Sequence, residues 1–545
     1  MMLAGVEAGS ARRGGWHRAL LLVAGALIAM SETRAPSIVG AVEPAMDAMR
    51  LAAGLLVLGV ALDGARTLPP LPWRQEGVAI GLAFFGCLVA GWLGGVSWPN
   101  SGDEYSYIVL ADMFRAGQLV GPPPPDPALF GAYHVLVRNG VTFSPYPPAW
   151  SALLAPFRAI GAVWLVNPLL TVLLGCALLG AFRRLGVAPA MRKPALALVL
   201  LTPFTLFLGG SVFPQTMAAA LVGGIIWAQL GDETRPGIGN KLLIGAMFGV
   251  LLLTRYDVAA VAVLAYAIDR LAKRRLRAVG DGIVVVLGML PFVVALGLYD
   301  AAITGNPLQL TSTWASPDAL ALPGAALLAT RAALLDLYWL GDLAQFGGLP
   351  VLVLSVAGLV LKVRRRTCRF FDLLLPLAVM FYSFVPFTGG HQYGPRYWFW
   401  AWPFASLTIV TALIDEAGTL HLFGRRVAFE RLATACLLTA TAAFFVLLAS
   451  THSYIAARRA VFTGPHPAAP AIILVPSRSL RIWPWQAHGI AAGSRDFTRN
   501  LAGYQARTLF GRADLPDAVA RACRLNGRLV LRWLAPGHLL PVACP

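Results

Sequence analysis

Charge is what this chain has least of. Only 13% of its 545 residues are Asp, Glu, Lys or Arg, just 26 are acidic, and 57% are apolar, with mean hydropathy +0.68. A soluble domain is about 25% charged, so this composition excludes one and indicates an integral membrane protein. Chemical signatures are sparse too. There is no D-x-D or E-x-D, so no dedicated metal carboxylate pair is visible. The P-loop, the dinucleotide glycine fingerprint and the nucleophile elbow are missing, which disfavours ATP-driven and nucleotide-sugar chemistry. The six cysteines form no C-x-x-C and no zinc-like spacing.

The net charge of +18 would suit nucleic acid, but its placement argues otherwise. Basic residues cluster between apolar runs: Arg183–Arg184 with Arg192–Lys193, Lys273–Arg275, Arg364–Arg366 and Arg425–Arg426. Such clusters mark the cytoplasmic side of a membrane protein. Apolar runs at 17–31, 48–64, 78–97, 163–182, 194–210, 215–231, 241–254, 256–270, 279–301, 348–362, 371–388, 398–414 and 432–450 predict about thirteen spans, or eleven if neither of the short first two crosses. The first is read as an uncleaved span, since no small-x-small cleavage site follows it. With the N-terminus inside, every basic cluster falls in the cytoplasm. Segments 98–162, 302–347, 389–397 and 451–545 fall outside.

The outer segments carry the informative residues. Ser101-Gly-Asp-Glu104 has the S-x-x-E form of a capping box and predicts a helix to about Gly117, with Tyr107, Leu110, Ala111 and Phe114 on one face. The proline run 121–127 is predicted to be extended, 149–162 a second helix, and 323–340 a further one. After Ser450 the composition gains Arg, Pro and Asp. Strands at 471–475 and 528–533 with a helix at 514–525 predict a small outer α/β domain. Cys523 and Cys544 lie in this tail, where an outer location would allow them to pair.

Asp103 and Glu104 are the candidate catalytic carboxylates. A general base would take a proton from an acceptor hydroxyl. Capping is the competing role: it suits Glu104 as well as function does and leaves Asp103 the better base. A helix N-terminus weakens a carboxylate as a base, which is tolerable if the acceptor proton leaves late. Arg255 and Asp257 interrupt an apolar stretch whose arms are each too short to cross, so their turn is expected below the outer surface in a protein-lined cavity. Residues two apart on a helix do not face each other, so simple mutual neutralisation is not expected. Arg396, with His391 and Tyr393, lies in an outer loop where it would grip a phosphate; the competing role is an interfacial Arg beside a belt of Tyr397, Trp398, Trp400 and Trp402. Tyr146 is a further binding candidate.

Asp103-Glu-Tyr-Ser-Tyr107, Tyr146-Pro-Pro-Ala-Trp150, Thr254-Arg-Tyr-Asp257 and Tyr393-Gly-Pro-Arg-Tyr397, in this order over roughly 78–415, resemble the GT-C superfamily of membrane glycosyltransferases. The likeness is to the branch of protein O-mannosyltransferases and lipid A aminoarabinose transferases. That family's Arg-Pro-Asp stands here as Arg255-Tyr256-Asp257, and the W-W-D-Y-G signature of oligosaccharyltransferases is missing. The resemblance implies a polyprenyl-phosphate-sugar donor, transfer on the outer face, usually with inversion, and Asp103 in the base role. Arg255 and Arg396 are our own candidates for the donor phosphate.

The expected architecture is an α-helical polytopic membrane protein with a structured first outer loop and a C-terminal outer α/β domain. Its parts are N-terminal spans and a cytoplasmic linker (1–77), a catalytic membrane module (78–450) and an extracytoplasmic domain (451–545). The expected function is glycosyl transfer at the plasma membrane to an envelope glycan, lipid or protein. No cofactor is called for, and a divalent metal stays open. The alternatives are a transporter or lipid flippase, disfavoured by the lack of internal repeats, and an assembly partner in which Asp103 only caps a helix.

Overall fold

Each of the thirteen apolar runs carries a helix, the first described as Trp16–Ile28. The computed structural model describes residues 16–28, 42–132, 134–274, 277–315, 337–385, 393–422, 425–463, 467–475, 507–525, 527–535 and 537–544. His391 and most of the helix expected at 323–340 lie outside these residues. Helices Val163–Arg184, Ala278–Thr304 and Phe429–Ala456 are long and apolar enough to cross a membrane. The run at 194–210, expected as one span, is instead a pair, Pro189–Leu200 and Pro203–Gly210, bent by 61°. Proline forces this break: it denies the preceding residue helical geometry and offers no N–H to the ladder. Thr202 then starts the second helix by accepting from the Thr205 N–H.

Two compact units divide the chain. The first comprises 1–92, 167–293 and 322–449; the second, 93–166, 294–321 and 450–545. In the first unit, helices Gln215–Thr234, Ile238–Thr254 and Tyr256–Arg274 follow one another with short breaks. Helix Ile238–Thr254 meets helix Arg277–Thr304 at Gly245 and Gly288. A Cβ on either glycine would collide with a carbonyl oxygen of the facing helix, of Val285 and of Leu242 respectively. Small residues at such crossings let backbones approach where apolar area alone supplies no driving force. Basic residues at the helix ends are paired: Asp232 receives Lys241 at 3.2 Å and Arg270 at 2.8 Å, and buried Lys362 meets Asp372 at 2.8 Å.

The second unit joins the outer-loop residues to the tail. The tail forms a four-stranded sheet in the order 508–512, 471–475, 529–535, 538–541, with the last strand antiparallel. Its central strand, Ala471–Val475, is buried throughout, as a strand covered on both faces must be. One face packs Ile473, Val475, Phe510 and Trp533 together. On the other, Ile472, Leu474 and Val530 meet helix Ala518–Cys523 and also Leu129 and Phe130 from the outer loop. Arg521 ties the two polypeptide segments, pairing with Asp126 at 3.2 Å and Asp517 at 2.7 Å. Its hydrogen bond holds the Asp517 carboxyl below the usual carboxylate range. Cys523 and Cys544 form a disulfide, as expected of an oxidised tail.

Candidate functional site

Helix Gly102–Arg115 begins with the capping box read from the sequence. Ser101 Oγ accepts from the Glu104 N–H at 3.2 Å. Glu104 is fully buried and turns back, its Oε2 accepting from the N–H groups of Asn100 (2.9 Å) and Ser101 (3.0 Å) and from the Ser101 hydroxyl (3.1 Å). The adjacent Asp103 points elsewhere. Its Oδ1 accepts a short hydrogen bond from the Tyr146 hydroxyl and lies 3.2 Å from His134 Nε2. The structure therefore separates the two carboxylates, one holding the helix start and one facing polar side chains.

The groups around Asp103 are themselves braced. The Tyr146 ring packs against Tyr107 at 4.5 Å and His134 at 5.7 Å. Its backbone N–H donates to Ser144 Oγ at 3.3 Å, and its carbonyl accepts from Tyr299 Oη at 3.4 Å. The Ser106 hydroxyl donates to the His134 carbonyl at 2.6 Å and lies 2.8 Å from Ser144 Oγ. Helix Pro148–Ala159, which follows the Tyr146-Pro-Pro motif, is fixed to the first helix twice. Ser151 donates to the Tyr107 carbonyl at 3.0 Å, and Arg158 Nε reaches Asp112 at 3.1 Å. His134 was not found from the sequence. It lies in an aperiodic stretch between the proline run and a short hairpin, and nothing local in the sequence announces it.

The other candidates gather in the first unit, around Tyr397. Arg255 breaks two helices in an extended conformation, with φ −156° and ψ 109°. The expectation that Arg255 and Asp257 would not meet is thereby overturned: the two-residue rule applies within a helix, and Arg255 is outside one. Its Nε and Nη2 engage both Asp257 oxygens at 3.1 and 2.5 Å. Tyr382 donates to Asp257 Oδ2 at 2.7 Å and stacks on Tyr397 at 4.9 Å. Arg255 lies 5.2 Å from the Tyr397 ring centre and Arg396 5.6 Å; Arg396 also lies 4.4 Å over Phe213. Both guanidinium groups thus share one aromatic ring, a placement attractive for cations. Tyr393 is buried beside Phe207 and Phe213 with φ +68°. Trp398, Trp400 and Trp402, which follow Arg396, are buried in the core, with Trp398 packed on Trp339 at 5.3 Å.

Among the described residues, no three His, Cys, Asp or Glu side chains gather into a metal-holding group. No protein-family model and no curated protein matches the chain. Solved structures do. One is ArnT from Cupriavidus metallidurans bound to undecaprenyl phosphate, at 12% identity and TM-score 0.48, covering 84% of this chain and 92% of that one. Another is the oligosaccharyltransferase of Archaeoglobus fulgidus, at 12% identity and TM-score 0.48, covering 84% and 70%. ArnT in its apo state gives 11% identity and TM-score 0.44.

Proposed function

We propose that this protein moves a sugar from a polyprenyl-phosphate donor to an envelope acceptor on the outer face of the membrane. The observation that carries the reading is Asp103: a carboxylate at a capped helix start, oriented by Tyr146 and His134. In this reading the acceptor hydroxyl attacks the anomeric carbon as the bond to phosphate breaks. The electron pair of that bond leaves on the polyprenyl phosphate, and Asp103 takes the acceptor proton late, when the sugar is already oxocarbenium-like. Attack opposite the leaving phosphate inverts the anomeric centre.

We assign the donor phosphate to Arg255 and Arg396. Asp257 and Tyr382 hold the Arg255 fork in place, which favours planar recognition of phosphate oxygens. A lipid-linked sugar brings its own leaving group to a compartment without nucleotides, consistent with the missing nucleotide motifs. Glu104, fully engaged in the capping box, supports the helix that presents Asp103.

The test supplies radiolabelled polyprenyl-phosphate sugars, one at a time, to membranes containing the protein and envelope acceptors. Label moving into an envelope acceptor, with release of polyprenyl phosphate, is the expected result. Donor that crosses the membrane intact and is never consumed would replace this reading with transport.

A further inference from the structure

We propose that Trp314 is a positioning residue for sugar transfer: it clasps the hairpin that leads into Tyr146 and thereby holds the Tyr146 hydroxyl on Asp103. The proposal rests on the glycosyl-transfer reading above. The hairpin pairs Leu136–Arg138 with Val141–Phe143 and turns at Asn139 and Gly140, both with positive φ, as a two-residue connection requires. Tyr146 follows three residues after the second strand. Two strands of three residues are marginal alone in water, so the hairpin's place is set by what it packs on.

Trp314 grips both strands. Its ring centre lies 5.0 Å from that of Phe143 in the second strand, and the Arg138 guanidinium of the first lies 4.3 Å over the indole. Arg138 Nη1 also donates to the Trp314 carbonyl at 2.5 Å. A guanidinium stacked on an indole and bonded to the same residue's backbone is fixed in one orientation. One side chain therefore sets where the hairpin lies, and with it the segment that carries Tyr146.

Trp314 is anchored in turn. It lies on the short helix Thr311–Ala315, and Thr311 gives Asp300 Oδ1 two hydrogen bonds, from its N–H at 3.0 Å and its hydroxyl at 2.6 Å. Asp300 is fully buried near the C-terminal end of helix Arg277–Thr304. Its neighbour Tyr299 donates to the Tyr146 carbonyl at 3.4 Å. Tyr299 and Ile303 then pack with Phe143, and Phe114, Leu136 and Trp314 close around them. Phe114 belongs to helix Gly102–Arg115, which carries Asp103 at its start. One apolar cluster thus joins the helix of Asp103, the hairpin before Tyr146 and the Trp314 helix. Removing the indole leaves the Asp103 helix capped and frees the hairpin, so the loss falls on the orientation of Tyr146 and not on the fold.

The experiment measures kcat and donor KM for transfer from the labelled donor, with thermal unfolding as a control. It compares wild type, Trp314→Ala, Trp314→Phe, Arg138→Met, Tyr146→Phe and the double variant Trp314→Ala with Tyr146→Phe. Trp314→Ala should lower kcat by about ten-fold with donor KM unchanged, within what a slightly misplaced group costs. Trp314→Phe keeps a ring between the strands and should retain most of the rate. Arg138→Met leaves the apolar cluster whole and loses the cation over the indole, for a fall of about three-fold in kcat. The double variant should be about as slow as either single variant, because both act on one hydrogen bond. Losses that multiply to about a hundred-fold, a change confined to donor KM, or a Trp314→Ala protein with wild-type kcat would each overturn the proposal. Where Trp314→Ala does not fold, Arg138→Met decides, and an unchanged kcat overturns it. If Asp103→Asn abolishes transfer while the Trp314 variants match wild type, the transfer reading stands and only this proposal is lost. Wild-type protein that transfers nothing would overturn both.

Discussion

Replacing Glu104 with glutamine and with alanine separates a cap from a catalyst. The Oε2 atom accepts three hydrogen bonds, from two backbone N–H groups and the Ser101 hydroxyl, in a fully buried setting. Glutamine keeps an acceptor oxygen and is the other residue a capping box uses. It loses only charge assistance and the favourable field of the helix start, together about 1 kcal/mol. Alanine removes the acceptor and leaves three buried donors to find water, each about 1–3 kcal/mol if unsatisfied. Because these bonds share one oxygen they do not add, and we expect a loss of about 3 kcal/mol. At about 1 °C per kcal/mol for a chain of 545 residues, thermal unfolding would fall by about 3 °C for alanine and by about 1 °C for glutamine. The assay pairs thermal unfolding of the purified protein with transfer rate well below the transition. Glu104→Gln should keep most of its rate. A Glu104→Gln protein that is stable but has lost more than about a hundred-fold in rate would refute the capping assignment and make Glu104 a proton acceptor.

Other consequences are checked the same way. Tyr146→Phe keeps the ring on Tyr107 but removes a donor from Asp103; it should lower kcat by about ten-fold, the scale of a hydrogen bond to a charged group, with donor KM unchanged. A raised KM alone would instead place Tyr146 against substrate. Arg255→Lys loses the fork that spans Asp257, so donor KM should rise by about ten-fold with a smaller change in kcat. An unchanged donor KM would remove Arg255 from phosphate binding. Reducing the Cys523–Cys544 disulfide, which links residues 21 apart, should destabilise the tail by about 3 kcal/mol. Limited proteolysis reads this as faster cleavage within the tail, and equal rates with and without reductant would contradict it.

Much of the helical framework is legible because each helix is a continuous apolar run bounded by proline, glycine or charge. The capping box at Ser101, the helix after Tyr146-Pro-Pro, the tail strands at 471–475 and 529–535 and the disulfide follow from local chemistry in the same way. What could not be read depends on distant partners. His134 reaches Asp103 across 31 positions, and Tyr382 reaches Asp257 across 125. No periodicity encodes such meetings. One expectation fails for a local reason: residues two apart on a helix do not meet, but Arg255 is extended and its side chain reaches Asp257. The bend at Thr202–Pro203 follows from proline chemistry, but the uniformly apolar run around it hides the break from hydropathy.

The account turns on Asp103 as the proton acceptor, and single-turnover transfer by Asp103→Asn tests that most directly. Asparagine preserves size and hydrogen bonding but not basicity. We expect the variant to fold and to bind donor like wild type, while the rate of label transfer falls by about a hundred-fold or more, the range supplied by general base catalysis. Donor bound normally and transferred at the wild-type rate would contradict the claim and leave Asp103 as a structural partner of Tyr146 and His134.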